Sequence, residues 1–217
     1  MAKKTKQISY LTYGVSILVV LVAFMISFFV YDRVPEMMAS HWDTQGRVNG
    51  YISRFWGLAI MPLVSLFILL LYAIIPKIDP LRANIASFKK YFDGFILVLV
   101  LFFFYLHVLT IAWNLQYSFD MTVAIMPAIA VLLFYSGVMM EKSKKNWFIG
   151  IRTPWTLSSD RVWEKTHKMG GMLFKITAVL TLFGIAFPGI AVYLLLFPLL
   201  ATVVFTIVYS YYVYQKR

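Results

Sequence analysis

The sequence contains no cysteine among its 217 residues. Disulfides, thiolate nucleophiles and Cys-ligated metal centres are therefore excluded. Charge is also scarce: Asp, Glu, Lys and Arg make up 13% of the chain, where soluble domains carry about 25%. Acidic residues are the rarer sign, nine against twenty Lys and Arg, and none falls inside the long apolar runs. That removes the carboxylate pair of an intramembrane protease and the intramembrane carboxylate on which proton-driven carriers commonly rely. HExxH, P-loop and dinucleotide fingerprints are missing. No Ser–His set lies at matching depth on facing runs with a group to orient it. An enzyme is not expected, and no cofactor is implied.

What fills the chain instead is apolar: 61% of it is hydrophobic. Six runs stand out, Tyr10–Tyr31, Phe55–Ile75, Gly94–Trp113, Met121–Met140, Met169–Phe187 and Ile190–Val213. Each approaches the roughly 20 residues that cross a hydrocarbon core about 30 Å thick. The first exceeds the roughly 7–15 residues of a signal-peptide core and is followed by Asp32-Arg33-Val34-Pro35, so it is expected to stay attached. The last two are parted only by Pro188-Gly189, a strong turn signal. One helix through both would be about twice as long as the bilayer core is thick. The expected fold is an all-α membrane protein, a bundle of six transmembrane helices. It divides into an N-terminal helical hairpin with its loop (1–75) and a four-span region (76–217), forming one integral membrane unit.

The net charge of +11 is better explained by membrane topology than by nucleic acid. With the N-terminus inside, Lys3, Lys4 and Lys6 share a side with Lys77, Arg82, Lys89, Lys90, Lys142, Lys144, Lys145, Arg152, Arg161, Lys165, Lys168, Lys216 and Arg217. Only Arg33, Arg47 and Arg54 fall outside, and Lys175, early in the fifth span, is expected to snorkel back to the inner interface. This is a positive-inside pattern. It predicts both termini in the cytosol, an ordered outer loop at 32–54 and an ordered cytosolic loop at 141–168. Span-end aromatics such as Tyr10, Trp56, Trp113 and Trp147 fit the headgroup level. The localisation implied is a cell membrane crossed several times, with the lipid bilayer as partner and no direct nucleic-acid contact.

Three features stand above this background. In the cytosolic loop, Trp147, Arg152, Pro154, Trp155 and Trp163 crowd together. Ser158 or Ser159 can N-cap a helix running into span five, with Asp160 and Glu164 near its positive end. Trp163, His167 and Gly170 then share a face, and Gly170-Gly171 permit a close helix approach. Arg152 can stack on Trp147 or Trp155, or pair with a carboxylate, a lipid phosphate or a partner. The loop reads either as an ordered partner-binding element or as an amphipathic anchor in the inner leaflet, and the two are compatible.

In the outer loop, Asp43–Gly46 and Asn49-Gly50 are turn formers, and strand-like pieces around His41-Trp42 and Arg47-Val48 predict a small hairpin. His41, Trp42 and Asp43 would present a polar and aromatic surface, as cap or as recognition site. Within span three, His107, Thr110 and Asn114 share one helix face; a neutral His bonded between helices is the plainer reading, a functional site the sharper one. His41 and His107 both lie toward the outside, but two His without a third ligand are a weak metal signal. Pro62, Pro127 and Pro198 sit at one depth in spans two, four and six. Each frees a carbonyl, those of Leu58, Val123 and Leu194, and aligned bends would open an outward cavity.

Asn146, Gly150, Arg152, Thr153, Pro154, Trp155, Thr156, Leu157, Trp163, Thr166, His167, Gly170 and Gly171 together resemble the motif of the SdpI/YfhL family of bacterial membrane proteins. Pro35, His41, Trp42, Gly46, Asn49, Gly50 and Tyr51 are similar to a companion N-terminal region of those proteins. The resemblance implies an immunity protein that protects against a secreted toxic peptide met on the outer side. It also implies a receptor that signals by holding a small winged-helix repressor at the cytosolic face. On this reading the outer loop recognises the peptide, and Arg152, Trp155, Trp163 and His167 contribute to the cytosolic surface. The alternative is a small transporter or channel using an outward cavity near His107; a third reading makes His41 or His107 the acid or base of a membrane enzyme.

Overall fold

The computed structural model describes residues 2–216, with side chains from Tyr10 onward; the side chains of Lys3, Lys4 and Lys6, and Arg217, lie outside the described residues. The order is α1 (Ala2–Val30), β1 (Met37–Trp42), β2 (Val48–Ser53), α2 (Arg54–Ile78), α3 (Arg82–Ser87), α4 (Lys89–Asn114), α5 (Met121–Lys142), α6 (Pro154–Ser158), α7 (Asp160–Ala186) and α8 (Ala191–Gln215). Among the described residues six helices are long and apolar enough to cross a membrane. They are α1, α2, α4, α5, α7 and α8, and they contain the six expected runs to within a residue at either end. The bundle is therefore helical as expected, but the chain is not purely so: β1 and β2 form an antiparallel hairpin between α1 and α2.

Local chemistry sets the boundaries. Asp120 caps α5 by accepting from the Val123 N–H at 3.2 Å, and Ser159 caps α7 through the Val162 N–H at 3.4 Å. A single 3-10 turn, Pro188–Ile190, reverses the chain between α7 and α8, so the expected helical hairpin is present. Helices α1, α2 and α4 share a core built on Val20, Leu69, Tyr72, Phe92, Ile96 and Val100. Helices α5, α7 and α8 meet around Ala130, Leu133, Phe174 and Ala178, and α4 packs on α5 to join the two groups.

The tightest approach is between α5 and α7. A Cβ on Gly137 would sit 2.5 Å from the Gly171 carbonyl oxygen, and one on Gly171 would sit 2.6 Å from that of Gly137. Small residues at both positions let the backbones meet. Next to this contact Lys175 Nζ pairs with Glu141 Oε1 at 2.6 Å. Lys175 is thus held by a carboxylate at the end of α5 rather than simply reaching for the interface.

Two expectations change. First, a carboxylate does lie within a membrane-length helix. Asp93 of α4 is fully buried, with Lys89 Nζ at 2.6 Å and the Tyr72 hydroxyl donating at 2.7 Å. Its apolar run begins one residue later, at Gly94, so hydropathy alone placed it in the loop. Second, the three prolines do not meet in one cavity. Pro127 lines an apolar groove of about 320 Å³ between α4 and α5. Pro198 lines another of about 310 Å³ between α7 and α8. Pro62 is buried in α2 and lines neither. Equal depth is no guarantee of adjacency, because the three helices face different neighbours. The Leu58 carbonyl that Pro62 frees is taken by the Ser27 hydroxyl at 2.9 Å, so the bend is sealed by a cross-helix bond.

Gly171→Leu forces side-chain atoms into the Gly137 backbone and the Glu141 side chain, 2.6 Å from a bare Cβ. Overpacking of this kind costs about 1–3 kcal/mol. The expected result is a lower melting temperature of the purified protein in detergent; an unchanged one would remove the close α5–α7 contact.

Candidate functional site

The alternating directions of the six long helices place the β-hairpin with the α4–α5 and α7–α8 turns at one end of the bundle. The start of α1, the end of α8, the α2–α4 connector and residues 143–159 lie at the other. Each end gathers one set of the residues singled out above.

At the hairpin end, Asp43 builds the turn. Its Oδ1 accepts from the N–H groups of Gln45 and Arg47, each at 2.9 Å, and Arg47 Nε lies 3.8 Å from Oδ2. Gly46 closes the turn at φ +74°, where a side chain is disfavoured, and a Cβ there would stand 3.0 Å from Asp120 Oδ1. Gly50 faces His41 across the strands and lets the ring lie against backbone, since a Cβ would be 3.0 Å from that of His41. Trp42 turns inward and meets Trp113 of α4 edge to face at 5.6 Å. Of the expected recognition trio, only His41 is exposed; Trp42 and Asp43 are half-buried and spent on the hairpin's own structure. Asn49, Tyr51 and Pro35 are exposed beside it.

The polar face of α4 has a structural use. Asn114 Oδ1 accepts from the Ala39 N–H at 2.8 Å, and its Nδ2 donates to the carbonyls of Ala39 at 3.1 Å and Thr110 at 2.9 Å. One side-chain amide thereby pairs β1 as a neighbouring strand would. His107 is fully buried, with Nε2 3.0 Å from Ser27 Oγ. Ser27 has one proton and two carbonyls, Ala23 and Leu58, to give it to, so it accepts from the imidazole N–H. His107 is a helix-bonding residue, lining neither apolar groove. His41, bonded to Ser40 Oγ at 3.0 Å, does not join it. Among the described residues no cluster suited to a metal forms.

At the motif end, Asn146 is fully buried and organises a loop by itself. Its Oδ1 accepts from the N–H groups of Phe148 at 3.0 Å and Ile149 at 2.6 Å. Its Nδ2 donates to the carbonyls of Lys144 at 2.9 Å and Ile149 at 3.0 Å. Thr153 and Thr156 form a reciprocal capping box on α6, with Pro154 at its first position. Proline and that box convert the expected turn into one turn of helix. The Thr153 hydroxyl also lies 3.1 Å from Ser210 of α8, and Trp155 packs on Tyr211 at 5.1 Å.

His167 is the centre. Its ring stacks on Trp163 at 3.9 Å and 16°. Nδ1 donates to the Trp163 carbonyl at 2.9 Å, and Nε2 accepts from the Ile151 N–H at 2.9 Å. An acceptor Nε2 with a donor Nδ1–H is the neutral tautomer. Trp163 Nε1 in turn donates to the Ser143 carbonyl at 3.2 Å. Gly150, at φ +109°, lies so close to the ring that a Cβ would collide with Nε2. Gly170 gives Ile151 room, since a Cβ there would be 2.7 Å from Ile151 Cδ1.

Trp163, Thr166, His167 and Gly170 are buried, so Trp163 and His167 do not belong to the surface, as the reading of the loop had them. They face inward because α7 turns that stripe toward the loop and α5. What the motif exposes includes Trp147, Phe148, Gly150, Arg152 and Pro154. Arg152 Nη1 donates to the Trp147 carbonyl at 2.7 Å rather than stacking on a ring.

Three polar residues complete the clamp, and sequence reasoning passed over two of them, Asp79 and Asn84. Asp79, buried at the end of α2, accepts from the Trp147 N–H at 2.9 Å and the Leu81 N–H at 2.6 Å. Asn84 of α3 donates to the Lys145 carbonyl at 2.8 Å. Asp160 pairs with Lys145 at 2.8 Å. A lone acid in an otherwise basic connector was the available signal for Asp79.

Comparison with known proteins follows the same division. Residues 142–210 match the SdpI/YfhL protein family. Residues 18–66 match a domain of unknown function, DUF1648. The chain is 25% identical to the immunity protein SdpI of Bacillus subtilis (strain 168) over 204 residues, 93% of this chain and 95% of that one. No solved structure matches. The first match runs from the end of α5 through the clamp to α8, and the second spans the latter part of α1, the hairpin and the first half of α2.

His167→Ala removes the acceptor of the half-buried Ile151 N–H and the face that Trp163 stacks on. A lost partner of this kind costs about 1–3 kcal/mol. We expect faster trypsin cleavage at Lys144, Lys145 or Arg152 in the folded protein. Gly150→Ala should open the same segment by strain and collision, whereas Lys165→Gln, on the exposed face of α7, should leave the cleavage rate unchanged.

Proposed function

We propose that the protein is an immunity protein and receptor of the bacterial plasma membrane. It protects its cell against a secreted toxic peptide at the hairpin end and signals from the motif end, holding a small winged-helix repressor there. The observation that carries this reading is the similarity to an immunity protein over 93% of the chain, which takes in both the hairpin and the clamp. The distribution of Lys and Arg supports placing the clamp and both termini in the cytosol, and hence the hairpin outside, where a secreted peptide arrives.

The exposed residues assign the contacts. Peptide recognition falls to His41, Asn49 and Tyr51 on the hairpin, with Pro35 at its base. Partner capture falls to Trp147, Phe148, Arg152 and Pro154, aromatic and cationic groups of the kind enriched at protein interfaces. Asn146, Thr153, Thr156, Trp163, Thr166, His167 and Gly170 hold that surface in shape from within, and Gly150, itself exposed, lets backbone lie against the His167 ring. A transport role finds no support at His107, which is sealed between α1 and α4.

Expression in a toxin-sensitive strain tests the reading. The wild-type chain should restore growth under toxin challenge. Tyr51→Ala with His41→Ala should reduce protection at equal membrane abundance. Trp147→Ala with Arg152→Ala should spare protection and reduce membrane capture of the repressor. Full protection by the hairpin variant would remove the hairpin from recognition, and no protection by the wild type would remove the immunity role.

A further inference from the structure

The motif end carries a cleft that neither the clamp nor partner capture uses. It has a volume of about 390 Å³ and is lined by Glu141, Lys142, Ser143, Lys144, Glu164, His167 and Lys168. It opens between the end of α5 and the second turn of α7. His167 supplies only ring edge, because both its nitrogens are bonded elsewhere. Glu141 is paired with Lys175 at 2.6 Å. Lys145, next in sequence, is paired with Asp160. Lys142, Lys144 and Lys168 are exposed, and no ion pair among the described residues engages them. Glu164 is the one lining carboxylate outside such a pair. The cleft therefore has an excess of cation, with three exposed lysines on its lining and no ion pair to hold them.

Its depth decides which anion fits. Lys142 is the last residue of α5, and Lys168 stands immediately before the apolar run that begins at Met169. Both lie where hydrocarbon gives way to headgroups. Below Lys168, Met172 and Ile176 follow at i+4 and i+8 and are 44% and 47% exposed. Below Lys142, Phe134 and Val131 continue along α5, 48% and 57% exposed. Residues spaced this way form ridges on one helix face. A basic cleft thus leads directly onto two exposed apolar ridges, matching a phosphate joined to acyl chains. A soluble anion would need the first feature only. Basic pockets between transmembrane helices are suited to anionic lipid headgroups.

We propose that this cleft is a binding site for one anionic phospholipid, its phosphate held by Lys142, Lys144 and Lys168 and its chains laid along α5 and α7. The lipid bridges the two helices beside the Gly137–Gly171 contact and fixes the position of α7 under the clamp. The opposing Glu164 keeps the affinity moderate.

Native mass spectrometry of the intact protein in detergent, titrated with dioleoyl phosphatidylglycerol or dioleoyl phosphatidylcholine, reads the site. The wild type should bind one phosphatidylglycerol about tenfold or more tighter than phosphatidylcholine, given attraction to several lysines near the surface. K142Q/K144Q/K168Q should lose that preference. K77Q/K90Q/K165Q, which removes the same charge from the same end but leaves the cleft intact, should keep it. E164Q, which deletes the opposing charge and nothing buried, should bind several-fold tighter. Equal loss in both triple variants would reduce the effect to general surface charge and overturn the site, as would weaker binding by E164Q. Should K142Q/K144Q/K168Q fail to fold, E164Q and K77Q/K90Q/K165Q still decide. Competition by inorganic phosphate at the same concentration as the lipid would overturn the lipid assignment in favour of a soluble anion.

Discussion

The arrangement at the motif end depends on one neutral imidazole. His167 takes a backbone N–H from the loop with one nitrogen and returns a proton to its own helix with the other, while its face covers Trp163. A long connector between two membrane helices has no sheet ladder to absorb its polar backbone, and buried backbone groups left unpaired are costly. Here the loop is paired by side chains instead. Asn146 satisfies four bonds, the Thr153–Thr156 box closes α6, and Asp79 reaches in from the far connector. Were the His167 ring charged, Nε2 would become a donor facing the Ile151 N–H, another donor. The clamp therefore requires the neutral ring, and Gly150 is the residue that lets backbone lie against it.

The hairpin end solves the same problem with one residue. Asn114 offers an amide that reproduces the donor and acceptor of a third strand, which keeps a two-stranded hairpin, marginal by itself, fixed to α4. Ser27 and His107 do the equivalent one level deeper, sealing the carbonyl that Pro62 frees. In a chain with so little polarity, most buried polar side chains have a backbone group to satisfy. What is left outside is strand residues at one end, and Trp147, Phe148, Arg152 and lysines free of ion pairs at the other.

Much of this was legible beforehand. Span number followed from run length because a bilayer fixes the length a helix needs. The Ser159 cap, the Asp43–Gly46 turn and the Pro188 reversal each rest on short-range chemistry that sequence displays. What did not show was direction. Trp163 and His167 look from sequence like surface decoration, since charges surround them, yet their stripe of α7 faces in and the charges of Arg161, Glu164, Lys165 and Lys168 face out. Asp93 escaped because the apolar run begins at Gly94, one residue after it, while the helix begins earlier, at Lys89. The prolines misled for a related reason: depth is readable along one chain segment, while adjacency depends on which helices pack together. Asp79 acts across 68 residues of sequence, and no local pattern reports such a bond.

The two ends are joined by two helices of different character. Helix α4 holds the hairpin through Asn114 at one terminus and packs with α1 and α2 along its length, ending at the buried Asp93–Lys89 pair. Helix α5 begins at Asp120, beside Gly46 of the hairpin turn, and ends at Glu141 and Lys142, beside α7. Because Gly137 and Gly171 bring α5 and α7 into backbone contact, a displacement of α5 cannot be absorbed by side-chain repacking there and must carry α7 with it. Helix α7 holds Trp163 and His167, so its displacement acts directly on the bonds that shape the exposed Trp147–Arg152 segment. Any influence of the hairpin on the opposite end therefore has its shortest rigid route through α5 and α7, and the Lys175–Glu141 pair sits on that route as its polar fastening.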